Sequence, residues 1–213
     1  AQDGDLEYTK KDLIRYYEFF PSGPLGIFLK KGSKDRLFYA KSFAYPLLAA
    51  PFVKLFGVNG FLVFHSFLLF LLLLMGYAYF SLSDSSPIPL FTVITFLFAS
   101  TACVYFLWIQ PDFFNLFLVF AILFLWRFKH KFHEILPEEK PAGKFQALLL
   151  SDGTDYFAGF LVGLAVFSKP ANIVLLGPLL LLPLLQKKFV KPALILLVFL
   201  VSSAFFWGSN ALI

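Results

Sequence analysis

The feature that most constrains this chain is the length of the stretches that carry no charged side chain. Residues 58–80 hold more than 20 consecutive positions without Asp, Glu, Lys or Arg. An α-helix needs about 20 apolar residues to cross the hydrocarbon core of a bilayer, and it satisfies its backbone polar groups internally. The sequence therefore predicts a transmembrane helix here. Further charge-poor stretches follow at 89–109, 113–126, 156–185 and 192–208.

The composition agrees with a membrane protein and excludes other classes. Apolar residues make up 59% of the chain, whereas soluble domains are about 45–50% apolar. The single cysteine, Cys103, lies in an apolar stretch, which excludes a disulfide framework and a cysteine metal site. The net charge of +5 is spread over loops, so it indicates contact with lipid headgroups and not with nucleic acid. We predict an all-α fold, a polytopic transmembrane helical bundle with an extramembrane N-terminal segment.

The chain divides into two parts. Residues 1–57 are predicted to form an outer-face loop with interfacial helices, because 1–42 are polar and basic and 43–57 are apolar but short and broken by two prolines. Residues 58–213 are predicted to form a transmembrane bundle of about six spans. The chain opens without Met and stops directly after an apolar stretch. We therefore expect it to be part of a longer protein.

The stretch 156–185 is too long for one untilted span, and Lys169 is its only charge. Pro170 disfavours a helical conformation at Lys169. The sequence therefore predicts two short helices, 156–168 and 172–185, that meet at a hairpin tip. A charged side chain at the centre of a membrane helix costs about 2.5 kcal/mol or more. The hairpin avoids this cost because it places Lys169 at a membrane surface or in a cavity.

Six spans place successive loops on alternating sides of the membrane. One side is rich in Lys and Arg, and the positive-inside rule makes that side cytoplasmic. Residues 1–57 are also basic, but they hold six acids and form a long segment, so we give them less weight. We expect an integral protein of the bacterial inner membrane, with residues 1–57, Asp112 and Lys169 on its outer face. The cytoplasmic loops would be 81–88, 127–155 and 186–191.

Asp112 and Lys169 form the first candidate site. They lie in "WIQPDFFN" (108–115) and "GLAVFSKPANIVLL" (163–176), at successive outer turns. A lysine can hold a lipid phosphate as a point charge. A carboxylate can act as a general base or position a divalent metal. The alternatives are that Lys169 only snorkels to the interface and that Asp112 only begins the next helix, where acids complement the helix dipole.

The histidines form a second set of candidates. His65 is an ionisable group inside an apolar stretch, so it is a candidate polar ligand or an axial ligand to a tetrapyrrole. The alternative is a hydrogen-bonded histidine near the outer end of its helix. His130 and His133 have an i, i+3 spacing that could bind a metal, but their basic surroundings favour a solvated or headgroup-facing loop. We predict no protein metal site from these residues.

Three stretches carry a resemblance to a known family. They are "AKSFAYPLLAAPFVKLFGVNGFLVFHSFLLFLLLL" (40–74), "WIQPDFFNLFLVFAILFLW" (108–126) and "AGFLVGLAVFSKPANIVLLGPLLLL" (158–182). The pattern resembles the C superfamily of membrane glycosyltransferases, and looks closest to its protein O-mannosyltransferase and aminoarabinose-transferase branch. The Gly-rich helix that ends in a Ser-Lys-Pro turn is its most recognisable part. The resemblance covers most of residues 40–208.

The resemblance implies a function. Such enzymes transfer a sugar from a polyprenyl-phosphate carrier at the outer membrane face. Their catalytic acid lies in the first outer loop, after a transmembrane helix and in an acid pair followed by an aromatic residue. This chain shows no such pair, and we expect that loop to lie upstream. Asp3 and Asp5 are the substitutes within the chain, and their alternative is a solvated loop. The cofactor is left open, with a divalent metal as one candidate.

A second class of function stays open beside the enzyme. The Phe- and Leu-rich helices could belong to a non-catalytic subunit that packs in a larger membrane complex, with pigment or lipid ligands. The expected partners are membrane lipids, a polyprenyl-phosphate-sugar donor and membrane proteins, and not nucleic acid. An acid pair upstream would favour the enzyme, whereas pigment or partner helices against His65 would favour the subunit.

Overall fold

The computed structural model describes residues 8–19, 29–31, 37–39, 42–138, 141 and 143–212. Asp3 and Asp5 lie outside the described residues. Two three-residue strands, β1 (Leu29–Lys31) and β2 (Leu37–Tyr39), pair antiparallel in the N-terminal segment. The helices are α1 (Lys10–Phe19), α2 (Ala44–Phe56), α3 (Gly60–Ser81), α4 (Ile88–Phe98), α5 (Ala102–Leu107), α6 (Pro111–Ile135), α7 (Lys144–Leu150), α8 (Gly153–Ser168), α9 (Leu176–Leu185) and α10 (Val190–Leu212), with 3₁₀ turns at Gly57–Asn59 and Pro170–Leu175.

The prediction of a polytopic transmembrane helical bundle is confirmed. Within the described residues, three helical stretches are long and apolar enough to cross a membrane, and they contain α3, α6 and α10. A fourth is added if α7 and α8, which are bent by 66° at their junction, count as one broken span. The apolar segments 88–98 and 170–185 are shorter. The structure thus has fewer full-length spans than the six that the sequence predicted.

Helix α6 lies at the centre of the bundle. Four of its side chains are fully buried in one core with residues from α3, α8 and α10. They are Phe113, Phe114, Leu118 and Ile122. Their spacing of one, four and four residues is that of one helix face. Because this face is covered by neighbouring helices, α6 positions the polar groups at both of its ends.

Two glycines fold α2 back onto α3. Gly57 has a φ of 60°, which L side chains rarely adopt. At Gly60 a Cβ atom would lie 2.4 Å from the carbonyl carbon of Phe52, so only glycine permits this crossing. Consequently α2 is a separate helix of 13 residues that packs against the first turns of α3. Its interfacial location stays a prediction.

The predicted span 89–109 is wrong as a single helix. The chain forms α4 and then α5, with a break at residues 99–101. Ser100 provides the physical reason, because its hydroxyl donates to the Leu97 carbonyl at 3.4 Å and accepts from the Ala102 amide at 3.2 Å. Side chains of this type compete with the helix ladder for backbone partners.

The predicted boundary after residue 126 is also wrong. The sequence assigned 113–126 to a short span and 127–155 to a polar loop, whereas α6 continues to Ile135 and α7 occupies part of the rest. The polar residues after 126 remain helical because their side chains have hydrogen-bond and ion-pair partners on α6 itself and on the neighbouring helix α3. Arg127 pairs with Glu134 at 3.3 Å, and Lys131 donates to the Tyr79 carbonyl at 3.0 Å.

The turn predicted at Lys169 is confirmed, whereas the second helix, predicted at 172–185, is α-helical only from Leu176. Helix α8 ends at Ser168, Lys169 is extended with a φ of −142°, and the returning segment begins at Pro170 as a 3₁₀ turn before α9. This is the effect expected of a proline on the residue before it.

The helices alternate between two ends of the bundle. The Lys169 end is where α5 and α8 finish and α6 begins, since Lys169 meets Asp112 there. The Lys129 end is the opposite end of the bundle. There Lys129 of α6 and Lys191 of α10 both pair with Asp155 in the first turn of α8. The alternation of ends therefore follows the predicted order, although α4, α5 and α9 are short.

Candidate functional site

Lys169 and Asp112 form an ion pair at the Lys169 end. Asp112 follows Pro111 in the first turn of α6, and Lys169 directly follows the last residue of α8. Each charge therefore also complements the dipole of its own helix. The pair is partly open to its surroundings, with Lys169 47% and Asp112 27% exposed. Both predicted residues are thus brought together, whereas their roles stay predictions.

Two asparagines lie beside this pair, and sequence reasoning missed them. Asn172 donates to the side-chain oxygen of Asn115 at 2.7 Å and to the Ala165 carbonyl at 2.9 Å. Asn115 follows Asp112 by three residues, and Asn172 follows Lys169 by the same interval. This repeated spacing was the signal that could have identified them. The hydrogen bond between the two asparagines connects the start of α6 to the turn after α8.

The pair lines a groove of about 370 Å³ between α4, α5 and α6. Hydroxyl and amide groups share its wall with the charges, so it contains hydrogen-bond donors next to an ammonium group. Ligand sites commonly combine an apolar surface with a few such polar groups. The polar lining is Ser100, Thr101, Tyr105, Asp112, Asn115 and Lys169.

Two apolar grooves continue from the polar groove toward the Lys129 end. A groove of about 140 Å³ shares Phe96 with the polar groove. A further groove of about 190 Å³ shares Phe80 and Phe120 with that one. Each groove is therefore the neighbour of the next, and we call the two apolar grooves together the apolar track. Along α6, the polar groove and the apolar track together extend from Asp112 to Phe124, a rise of about 18 Å.

His65 is a buried, fully hydrogen-bonded histidine. It is 0% exposed, Nδ1 lies 2.8 Å from the Phe106 carbonyl, and Nε2 lies 3.0 Å from the Tyr45 hydroxyl. A carbonyl only accepts, so Nδ1 carries a proton, and Nε2 shares a hydrogen bond with the Tyr45 hydroxyl. Both ring nitrogens are therefore occupied. This is the hydrogen-bonded alternative. To act as an axial ligand, His65 would first have to lose its hydrogen bond to Tyr45 or to Phe106.

A second charged cluster lies at the Lys129 end, and the sequence did not predict it. Lys129 is 6% exposed and Asp155 3%, and their charged atoms are 2.5 Å apart. Lys191 of α10 lies 2.6 Å from both Asp155 and Asp152. Its hydrogen bond to Asp152, in the turn before α8, lowers the pKa of that carboxyl. The cluster joins α6, α8 and α10. Asp155 Oδ1 is buried and has no hydrogen-bond partner within the described part of the chain.

The remaining histidines do not assemble a metal site. His130 packs against the Trp126 ring, with centroids 6.0 Å apart, and His133 against Phe132 at 5.8 Å. Among the described residues, no three His, Cys, Asp or Glu side chains come together as ligands. Asp112 offers a single carboxylate that already pairs with Lys169. This donor set does not fit a resident divalent metal, which takes several oxygen ligands.

Comparison with known proteins adds no relative. No protein-family model, no curated protein and no solved structure matches the chain.

Proposed function

We propose that this protein is a membrane glycosyltransferase-like enzyme that binds a polyprenyl-phosphate carrier at the Lys169 end. The observation that carries the proposal is the partly open Lys169–Asp112 pair at the rim of the polar groove. The resemblance of sequence patterns suggests the sugar-transfer chemistry. The pair and the groove support the phosphate site.

Lys169 has the chemistry that a lipid phosphate requires. Its ammonium group is a compact point charge with three donors. Its partner Asp112 is half-buried, and partly exposed ion pairs of this kind contribute only about 0–1 kcal/mol. A phosphate, whose negative charge is shared by at least two oxygens, therefore competes well for Lys169. Ser100 and Thr101 line the same groove and offer hydroxyl donors to the remaining oxygens.

The apolar track supports a lipid as the ligand. It begins at Phe96, next to the polar groove, and is bordered mainly by aromatic and aliphatic side chains. A prenyl chain has no polar atom, so it is held by burial of apolar surface, about 25 cal/mol per Å². A phosphate at Lys169 with its chain along the track would use both surfaces.

Asp112 has a distinct role in this proposal. When the carrier phosphate pairs with Lys169, the Asp112 carboxylate loses its internal partner and is free to accept the proton of the acceptor group. The acceptor atom then bonds to C1 of the sugar while the bond from C1 to the phosphate oxygen breaks, and polyprenyl phosphate is the leaving group, its charge compensated by Lys169. A carboxylate within hydrogen-bond reach of the acceptor group is a suitable general base. We assign this step to the Asp112 carboxylate.

Comparing two ligands tests the phosphate site. The purified protein in nanodiscs is titrated with polyprenyl phosphate and, as the matched control, with the unphosphorylated polyprenol of the same length. We expect at least about tenfold tighter binding of the phosphate, because a hydrogen bond to a charged group contributes about 1.5–3 kcal/mol. Equal affinity for the two lipids would contradict a phosphate site.

The proposed orientation has its own test. Asn59 lies in an exposed turn near the Lys169 end, and Lys188 in the exposed turn before α10. In a Cys103→Ser background, we expect Asn59→Cys to react with an impermeant thiol reagent in intact cells. Lys188→Cys should react only after permeabilisation, because the basic loops are proposed to be cytoplasmic. The reverse pattern would remove the outer-face site.

A further inference from the structure

Helices α6 and α8 carry the same pair of charges in the same order. Each has an Asp in its first turn and a Lys farther along, namely Asp112 and Lys129 on α6 and Asp155 and Lys169 around α8. The two helices are antiparallel, so each Asp faces the Lys of the other helix. The result is an ion pair at each end, separated by about 21–25 Å of helix rise.

The two pairs differ in burial, and this difference gives them different roles. Lys129 and Asp155 are almost fully enclosed, whereas Lys169 and Asp112 are partly open. Charges in a low-dielectric interior interact more strongly than charges near solvent. Separating a buried pair leaves both charges uncompensated, which is strongly unfavourable. The buried pair therefore tolerates less sliding between α6 and α8 than the open pair does.

Neighbouring groups make the buried pair a fixed point. Lys129 also donates to the Ser151 carbonyl at 3.3 Å, and Lys191 anchors Asp155 from α10. A slip of α6 against α8 by one helical turn, about 5.4 Å, would break the contacts of Lys129 with both Asp155 and Ser151. It would also separate Lys169 from Asp112 at the other end, because both helices are continuous between the two pairs.

We infer that Lys129 and Asp155 are positioning residues that hold α6 and α8 in the register that places Lys169 beside Asp112. This inference rests on the proposed function, since it concerns the geometry of the same site. Neither residue contacts the groove. Each acts through the helix that carries it.

A cross-linking reporter at the Lys169 end tests the inference without any lipid. Asn115 and Asn172 have side chains in contact, so Asn115→Cys and Asn172→Cys in a Cys103→Ser background should form a disulfide under mild oxidation. We expect Lys129→Met to slow this cross-linking by about tenfold. Lys129→Arg keeps the charge beside Asp155 and beside Asp152, which lies 3.5 Å from the Lys129 ammonium, and it should restore the rate to within about twofold.

A matched control separates this effect from a general loss of charge on α6. Among the described residues, Arg127 pairs with Glu134 of its own helix, and it is exposed. Arg127→Met should therefore leave the cross-linking rate unchanged. Parental cross-linking in Lys129→Met would overturn the inference, and so would a folded Lys129→Arg that fails to restore it.

Folding of the test variant is protected by Lys191, which still compensates Asp155 when Lys129 is removed. If Lys129→Met nevertheless gives no folded protein, Lys129→Met/Asp155→Leu replaces it, because apolar replacement of both members of a buried pair is often tolerated. The same slowing is expected, and parental cross-linking would again overturn the inference.

The two proposals fail in different ways. Slower cross-linking with unchanged affinity for polyprenyl phosphate would support the positioning role and contradict the lipid site. Unchanged cross-linking would contradict the positioning role whatever the lipid affinity is.

Discussion

Lys169→Met should weaken binding of polyprenyl phosphate by about 10- to 150-fold, because the variant keeps the apolar stem and loses the charge. The estimate follows from a charge-assisted hydrogen bond of about 1.5–3 kcal/mol, at about 1.4 kcal/mol per tenfold change in affinity. The measurement is a titration of the purified protein in nanodiscs. Binding of the unphosphorylated polyprenol should be unchanged, because Lys169 interacts with the phosphate and not with the chain.

Two further variants sharpen this test. Lys188→Met removes an equal charge from the exposed turn before α10, and it should bind as the parent does. Lys169→Arg should lose less affinity than Lys169→Met, although its planar fork differs from a compact ammonium. If Lys169→Met binds the phosphate as tightly as the parent, Lys169 only snorkels to the interface.

Asp112→Asn should abolish sugar transfer in the full protein while it tightens phosphate binding. The amide cannot accept a proton as a general base, so the chemical step is lost. The same change removes the carboxylate that competes with the phosphate for Lys169. Because a partly exposed pair contributes up to about 1 kcal/mol, phosphate affinity should rise by up to about fivefold. Transfer is measured with a radiolabelled carrier, and binding in nanodiscs.

The opposite signs of these two effects distinguish a catalytic role from a structural one. A variant that merely misfolds would lose both transfer and binding. Asp84→Asn is the matched control, because Asp84 is bonded only to Ser86 in the exposed loop before α4 among its described contacts. It should transfer sugar at the parental rate. Full transfer by Asp112→Asn would leave Asp112 only its role at the start of α6.

The sequence predicted the Lys169 end better than the Lys129 end. A lone lysine before a proline in a long apolar stretch is compatible with few backbone conformations, and the chain adopts one of these, the hairpin. Its pairing with Asp112 required the structure, because the two residues lie 57 positions apart. The sequence prediction placed Lys129 in a loop, because a run of charged residues after an apolar stretch usually indicates that the membrane helix has ended. Its partner Asp155 is brought close only by the packing of α8 on α6.

His65 illustrates a second limit. An isolated histidine in an apolar stretch has the same sequence signature whether it binds a ligand or a neighbouring side chain. The partners that decide between these come from α2 and from the end of α5, at separations of 20 and 41 residues. No local pattern links such positions. The break in α4–α5 is different, since Ser100 and Thr101 are local and their competition for backbone partners could have been weighed.

The most direct test of the central claim is an experimental structure of the protein in nanodiscs with polyprenyl phosphate bound. We predict phosphate density within about 3 Å of the Lys169 ammonium, at hydrogen-bond distance. Asp112 should then be released from Lys169, and the prenyl chain should extend past Phe96 along the apolar track. A phosphate bound elsewhere, with Lys169 still paired to Asp112, would contradict the proposed site.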